Sequence, residues 1–133
     1  MGLGNTYENN VLDAVLGQGF TKPATVYVAL FTATPSSSGG GTEVSTSGTA
    51  YARVAVTNNA TNWPNASSGS KSNGTVVTFP TATGSWGTVT SWALFDAATG
   101  GTLICFGNLT SSIAVGSGQA PDFPIGTLIC TAA

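Results

Sequence analysis

The segment TVYVALFTA, residues 25–33, restricts the fold more than any other part of the sequence. Its apolar residues fall on both faces of an extended chain, so a strand here needs cover on two sides. A second strand is indicated by YARVAVT, residues 51–57. There Val54 and Val56 fall on one face, whereas Tyr51 falls on the other. The two segments together predict a layered β protein.

Short segments of strand composition continue to the C-terminus and are separated by turn residues. They are residues 75–79, 88–95, 102–109, 112–115 and 125–130. Many short strands joined by turns are typical of antiparallel sandwiches and jelly rolls. We therefore expect residues 1–133 to form one mainly β domain, an antiparallel β-sandwich or jelly-roll-like fold.

One helix is predicted, at the N-terminus, over about residues 5–17. Asn5 has the position of an N-cap, Glu8 follows at the spacing of a capping box, and Gly17 is suited to end the helix. Between these ends, apolar residues recur at helical intervals, which predicts one apolar face. Its members are Tyr7, Val11, Leu12, Val15 and Leu16.

Two long segments, residues 35–50 and 58–74, are rich in Ser, Thr, Gly and Asn. Loops of this length are usually functional or disordered, so we expect surface arms that contact neighbouring molecules. Trp63 lies in the second arm beside Pro64 and is predicted to be exposed. An exposed Trp63 would stack on a sugar ring or lie at the centre of a subunit interface.

A tight turn is predicted at DAATGG, residues 96–101. Asp96 is expected to accept a hydrogen bond from its own backbone two residues on, and Gly100 and Gly101 to adopt positive φ. This structural task accounts for the one carboxylate in an otherwise uncharged hairpin.

Charged residues are scarce, and this scarcity excludes several function classes. They make up 6% of the chain, and histidine is absent. A nucleophile–base pair or a facing carboxylate pair is not visible, so we expect no enzyme and no catalytic residues. Three positive charges do not form a phosphate-binding stripe, and no apolar run approaches 18 residues. Nucleic acid and membrane are therefore not expected as partners.

The two cysteines, Cys105 and Cys130, each end a GTLIC pentapeptide. Two thiols without histidine do not supply the four ligands of a structural zinc site, and no metal or other cofactor is expected. The favoured interpretation is two buried free thiols. A disulfide is the alternative, if their strands are neighbours.

Three long stretches resemble a known family of small virion structural proteins of tailed bacteriophages. They are ATVYVALFTATP, GTEVSTSGTAYARVAV and VTFPTATGSWGTVTSWALFDAATGG, and the resemblance runs from the helix to about Gly107. Members are often labelled tail-fibre proteins, and some are encoded among head genes. The resemblance implies a virion component and brings no catalytic residues. The two cysteines depart from the family pattern.

Glu43 and Arg53 lie close to the family motif and are predicted to form a structural ion pair that positions the first long segment. Together with Tyr51 and Trp63 they are the candidate contact residues. An exposed pair of this kind contributes only about 0–1 kcal/mol, so its role would be positioning.

The function expected from the sequence is a non-enzymatic protein on the virion surface, made in the host cytoplasm. We expect a homo-oligomer that acts as a capsid decoration (cement) protein and binds the major capsid protein or other virion proteins. A single compact domain lacks the long shaft of a fibre, which favours this assignment. The alternative is a tail-fibre or receptor-binding protein that contacts host glycans. A free carbohydrate-binding module is a weaker alternative.

Overall fold

The structure, a computed structural model, describes residues 2–132 and is mainly β with one short helix. The predicted fold class is thereby confirmed. Met1 and Ala133, the ends of the predicted domain, lie outside the described residues. The elements are β1 Gly2–Leu3, α1 Asn5–Val15, β2 Thr25–Ala33, β3 Thr42–Glu43, β4 Val54–Thr57, β5 Ser70–Ser72, β6 Val77–Thr78, β7 Gly87–Phe95, β8 Leu103–Val115, β9 Asp122–Phe123 and β10 Ile129–Thr131.

Six strands form the main antiparallel sheet, in the order β1-β8-β7-β2-β3, and β4 also pairs with β2. β2 therefore pairs with three strands, and both of its faces are covered, as its apolar sequence predicts. Val28 and Ala29, which point to opposite faces, are both fully buried. β7 and β8 form a long hairpin, and the two strands predicted over residues 102–115 are one continuous strand.

Two short ladders, β5–β10 and β6–β9, lie over one face of the main sheet. Phe79, Phe123 and Leu128 from this layer join Leu30 and Trp92 of the sheet in the larger hydrophobic core. The resulting architecture is sandwich-like, with one thick and one thin layer. A smaller cluster on the other face contains Ala29, Phe31, Ala93, Leu103 and Phe106.

The long polar segments lie largely at the surface, but they also contribute short strands and a few buried side chains to the fold. Segment 58–74 contributes β5 and two buried side chains, Trp63 and Asn73. The Asn73 amide accepts from the Leu128 backbone N–H at 2.9 Å and donates to the Pro124 carbonyl at 3.1 Å. An amide side chain can be buried when its hydrogen bonds to backbone groups are made. The polar composition of the segment does not predict this burial.

Cys105 and Cys130 form a disulfide that joins β8 to β10, with their Cα atoms 6.1 Å apart. The favoured prediction of two free thiols is therefore wrong. A disulfide was considered only for two neighbouring strands. β10 instead belongs to the thin layer, which faces the main sheet. The bridge thus fastens one layer of the fold to the other.

The helix begins as predicted but is capped differently. Gly4 is the N-cap residue, and Asn5 makes no side-chain capping bond. Gly4 lies so close to β8 that an added Cβ would be 2.5 Å from the Leu103 carbonyl oxygen. The Asn5 N–H donates instead to the Ser37 carbonyl at 2.8 Å. Backbone carbonyls of neighbouring segments thus do the work of a capping side chain.

Only Tyr7 of the predicted apolar helix face is buried. The helix stops at Val15, and Gly17 follows with φ of 96°. Within residues 2–132, no helix has the length and apolar character needed to cross a membrane.

Candidate functional site

A cleft of about 600 Å³ opens between the start of α1, the segment 35–41 and the turn 96–102. We call it the clamp cleft. Glu43 and Arg53, two of the predicted site residues, line it together with Phe95. The predicted candidates are thus partly brought together, at the point where three segments meet.

β2 explains why these residues converge. Glu43 of β3 is the register partner of Phe31 near one end of β2. β4 pairs with the other half of β2 up to Val54, so Arg53 directly precedes the last ladder pair. Phe95 ends β7 on the opposite side of β2. Because β3, β4 and β7 all pair with β2, the side chains of Glu43, Arg53 and Phe95 lie close together.

Arg53 lines the cleft, and its guanidinium donates hydrogen bonds to two segments at once. Its Nε donates to Glu43 Oε2 at 3.0 Å, and its Nη2 donates to Glu43 Oε1 at 2.9 Å. Its Nη1 donates at 2.8 Å to the carbonyls of both Ala97 and Gly100. The predicted Glu43–Arg53 ion pair therefore forms, and it connects β3 to the β7–β8 turn.

This pair is far less exposed than a surface ion pair. The Arg53 side chain is 7% exposed and that of Glu43 26%. The guanidinium carbon lies 3.9 Å from the centroid of the Phe95 ring, whose other neighbour is the stacked ring of Phe31. A planar cation between a carboxylate, two carbonyls and an aromatic face is the arrangement for which arginine is suited and lysine is not.

Tyr51 completes the site from beneath the cleft. Its hydroxyl donates to Glu43 Oε2 at 2.6 Å and accepts from the Leu30 N–H at 3.0 Å. Burial, and secondarily the hydrogen bond to Glu43, raise the pKa of Tyr51 well above its ordinary value. The ring also packs on Phe79 and Trp86. Its assignment as a partner-contact residue is wrong, because the side chain is buried in the core.

The turn beside the cleft is held by Asp96. Gly100 and Gly101 adopt φ of 61° and 77°, as predicted. Asp96 Oδ1 accepts from the Thr102 N–H at 2.7 Å, across the turn rather than two residues on. Asp96 Oδ2 accepts from the Tyr7 hydroxyl at 3.1 Å, which ties α1 to the hairpin. Burial first, and then this bond to Asp96, raise the pKa of Tyr7 to about 12.

Trp63 is also placed differently from its prediction. It is buried in the larger core, and its Nε1 has no hydrogen-bond partner within the described part of the chain. Its polar neighbours in sequence misled the prediction, since the segment folds inward around this ring. Trp63 does not present a stacking surface to solvent.

Phe95 and the two turn carbonyls were not anticipated from the sequence as site groups. The available signal was Arg53 itself, the single arginine of the chain, in a strand otherwise free of charge. An isolated guanidinium beside an apolar strand needs a carboxylate and further acceptors nearby.

The polar side chains of the clamp cleft hold segments of the protein together. Glu43 Oε2 accepts two hydrogen bonds, Oε1 accepts one, and Arg53 donates four. Across residues 2–132, no three metal-ligating side chains come together. The charged groups are engaged with the protein itself and stabilise its loops.

The comparison with known families decides the wider assignment. The sequence matches the family described as Podophage GP4 fiber I protein gp80 over residues 2–131. The chain belongs to this family. The match spans almost the whole sequence and confirms the resemblance to phage virion structural proteins labelled as fibre proteins. A virion location agrees with membership in this fibre family. No curated protein matches the chain.

Proposed function

We propose that the chain is a non-enzymatic structural subunit of a phage fibre, carried on the outside of the virion after synthesis in the host cytoplasm. The family match over residues 2–131 carries the fibre assignment. The non-enzymatic part is supported by the engagement of Arg53 and Glu43 by each other and of Arg53 by the turn carbonyls of Ala97 and Gly100. A general acid or base needs a side chain that is available to substrate. Here the ion pair of Arg53 and Glu43 is used to hold loops in place.

The fibre is favoured over the head as the location. Capsid decoration was the first expectation from the sequence, based on the absence of a long shaft. The name of the matching family refers to a fibre and not to a capsid. A small rigid domain is suited to serve as one unit among several in such a fibre. Its partners would then be other fibre or virion proteins rather than nucleic acid, a membrane or a cofactor.

Copy number and position on the particle test this proposal. Antibody raised against the folded chain, visualised by immunogold electron microscopy on intact phage, should label the tail. Quantitative mass spectrometry against the major capsid protein should give tens of copies or fewer. Labelling spread over the head, with hundreds of copies, would identify a decoration protein instead.

The non-enzymatic part of the proposal needs its own experiment. Host-surface polysaccharide incubated with the purified chain should remain intact, as judged by its size distribution. Cleavage that disappears in Glu43→Gln, with the fold retained by circular dichroism, would show that the carboxylate is catalytic.

Host-glycan contact is a second candidate function, now supported by the clamp cleft rather than by Trp63. Ser38 lines one wall of the cleft, and its exposed hydroxyl shares a 2.9 Å hydrogen bond with the Ser36 hydroxyl. Gly39 and Gly40, where an added Cβ would meet nothing within 4 Å, leave the backbone of this wall open to a ligand. Sugars are recognised by such hydroxyl and backbone groups. Binding on a glycan array that is lost in Ser38→Asp but kept in Ser112→Asp, a matched exposed serine on β8, would support this function.

A further inference from the structure

The outer face of α1 is apolar and uncovered. Tyr7 alone packs on the domain, whereas the next two turns present branched aliphatic side chains to solvent. Their exposed fractions are 43% for Val11, 60% for Leu12, 75% for Val15 and 72% for Leu16. An apolar face that continues over two turns is unusual on an isolated soluble domain and commonly marks a contact surface.

An apolar groove of about 230 Å³ adjoins this face. We call it the helix groove. Val11 and Phe20 form its edge on the helix side, and both are exposed. The sheet side is lined by apolar residues of the larger core, among them Val26, Leu94 and Trp63. The helix face and the helix groove therefore form one continuous apolar surface.

Charge is distributed unequally along this surface. Lys22 and Lys71, the two lysines of the protein, both line the helix groove. The helix carries two carboxylates, Glu8 and Asp13. Glu8 lies one turn before Leu12, on the exposed side of the helix.

These charges have no ion-pair partner among the residues that the structure describes. The single salt bridge among residues 2–132 is the one between Arg53 and Glu43. Lys22 Nζ makes a 3.4 Å contact to the Asn58 carbonyl, which leaves its charge uncompensated. A negative helix and a positive groove thus lie side by side on one surface of the same molecule.

We propose that a second copy of this chain covers the surface, with the helix of each copy seated in the helix groove of the other. A two-fold axis between adjoining complementary halves brings both pairs together at once. Leu12 and Leu16 of one copy fill the partner's apolar groove. Glu8 faces the lysines at its rim. This contact goes beyond the function proposed above and does not depend on where the virion carries the protein.

Complementarity within one patch is the reason for choosing a second copy as the occupant. A foreign partner would have to match an acidic apolar helix and a basic apolar groove simultaneously. Another copy supplies both by symmetry. The low net charge of −2 also leaves little general repulsion between copies.

Removal of the apolar contact tests the proposal. Sedimentation equilibrium should show a reversible dimer for the wild-type chain. Leu12→Gln combined with Leu16→Gln should raise the dissociation constant by about a hundredfold, since each copy loses two interface leucines, one on α1 and one directly after it. Glutamine is a good helix former, so circular dichroism should be unchanged. Val76→Gln combined with Ile125→Gln, at exposed apolar positions elsewhere, should leave the dimer intact.

A charge exchange tests the orientation. Glu8→Lys alone, and Lys22→Glu combined with Lys71→Glu alone, should each weaken self-association about tenfold or more, because like charges then face each other. Mixing these two variants should restore a mixed dimer, because both of its reciprocal contacts then bring opposite charges together. Asp122→Lys, an exposed acid outside the helix groove, serves as the control and should dimerise like the wild type.

Three results would overturn the proposal. One is a wild-type chain that remains monomeric at the highest concentration measured. Another is an oligomer of any size that survives both sets of substitutions. The third is a pair of charge variants that fail to associate with each other although each is folded.

Discussion

The clamp cleft and the helix groove use the same few kinds of side chain in opposite ways. In the clamp cleft, Arg53 lies between Glu43, two carbonyls and the ring of Phe95, and its side chain is nearly buried. In the helix groove, Lys22 and Lys71 line an apolar surface and pair with no carboxylate of the described chain. The charged groups of the clamp cleft are paired within the fold, whereas the lysines of the helix groove have no carboxylate partner among the described residues.

The difference shows that the few charges of this chain have two roles, stabilisation of the fold and recognition. A buried, fully bonded ion pair costs desolvation, yet it fixes loop geometry once every acceptor is satisfied. Unpaired charges beside exposed aliphatic residues contribute little to the fold and are available for recognition. Substitutions in the clamp cleft should therefore change stability, and substitutions in the helix groove should change association.

The largest effect is expected from Arg53→Met. The substitution leaves Glu43 partly buried without its cation and removes both bonds to the 96–102 turn. The free energy of unfolding, measured by urea titration, should fall by about 3–5 kcal/mol. Arg53→Lys should recover only a part, because an ammonium group does not make the bidentate pair. Lys22→Met, the matched change in the helix groove, should have almost no effect on unfolding. Equal losses for both methionine variants would refute the division of tasks.

The disulfide should rank next. It closes a chain segment with a sequence separation of 25 residues, which corresponds to roughly 3 kcal/mol of stabilisation on the chain-entropy estimate. Cys105→Ala combined with Cys130→Ala should lower the unfolding free energy by about this amount. Reductant should lower the wild-type value similarly and leave the double variant unchanged. A wild-type protein insensitive to reductant would argue against a structural role of the bridge.

A smaller effect, with a characteristic pH dependence, is expected from Tyr7→Phe. Loss of the hydrogen bond to Asp96 should cost about 1 kcal/mol at neutral pH. The folded pKa of Tyr7, about 12, lies above its ordinary value of 10.0. The associated stabilisation is therefore complete below pH 10 and is lost as the pH rises towards 12.

Unfolding measured from pH 8 to pH 11.5 should show this loss for the wild type and a shallower decline for Tyr7→Phe. All other ionisable groups are shared by both proteins, so the difference between the two curves isolates Tyr7. Parallel curves would show that Tyr7 is not linked to folding.

The smallest effect on stability is expected from Leu12→Gln. The side chain is 60% exposed, so unfolding of the dilute, monomeric chain should change by no more than about 0.5 kcal/mol. Leu30→Ala, at a fully buried position of β2, should cost about 2–5 kcal/mol in the same assay. A large loss for Leu12→Gln in dilute solution would mean that the helix face packs on its own domain.

The sequences of the strands predicted the main sheet well, because an apolar segment indicates directly that its side chains are buried. β2 matches the predicted residues 25–33, and β7 is extended by one residue, Gly87. The ion pair was also predictable, since Glu43 and Arg53 are rare charges that both lie close to the family motif. Asn73 and β5 were not, because a polar segment folds inward only when backbone groups elsewhere need its side chains.

The helix shows the opposite limit. Its apolar periodicity was recognised from the sequence, and periodicity predicts that a face requires cover. It does not say whether the cover belongs to the same chain. Trp63 and Cys130 carry the same ambiguity, since burial by the thin layer depends on contacts that are distant in sequence.

Hydrogen–deuterium exchange at two protein concentrations tests the division between the two sites most directly. The account predicts that peptides from α1 become protected as the concentration rises through the dissociation constant, together with those containing Lys22 and Lys71. Peptides from segments 35–43 and 96–102 should exchange at rates that do not change with concentration, because the Arg53 clamp is complete in the monomer. Concentration-dependent protection of the clamp cleft, with an unchanged helix, would contradict the account.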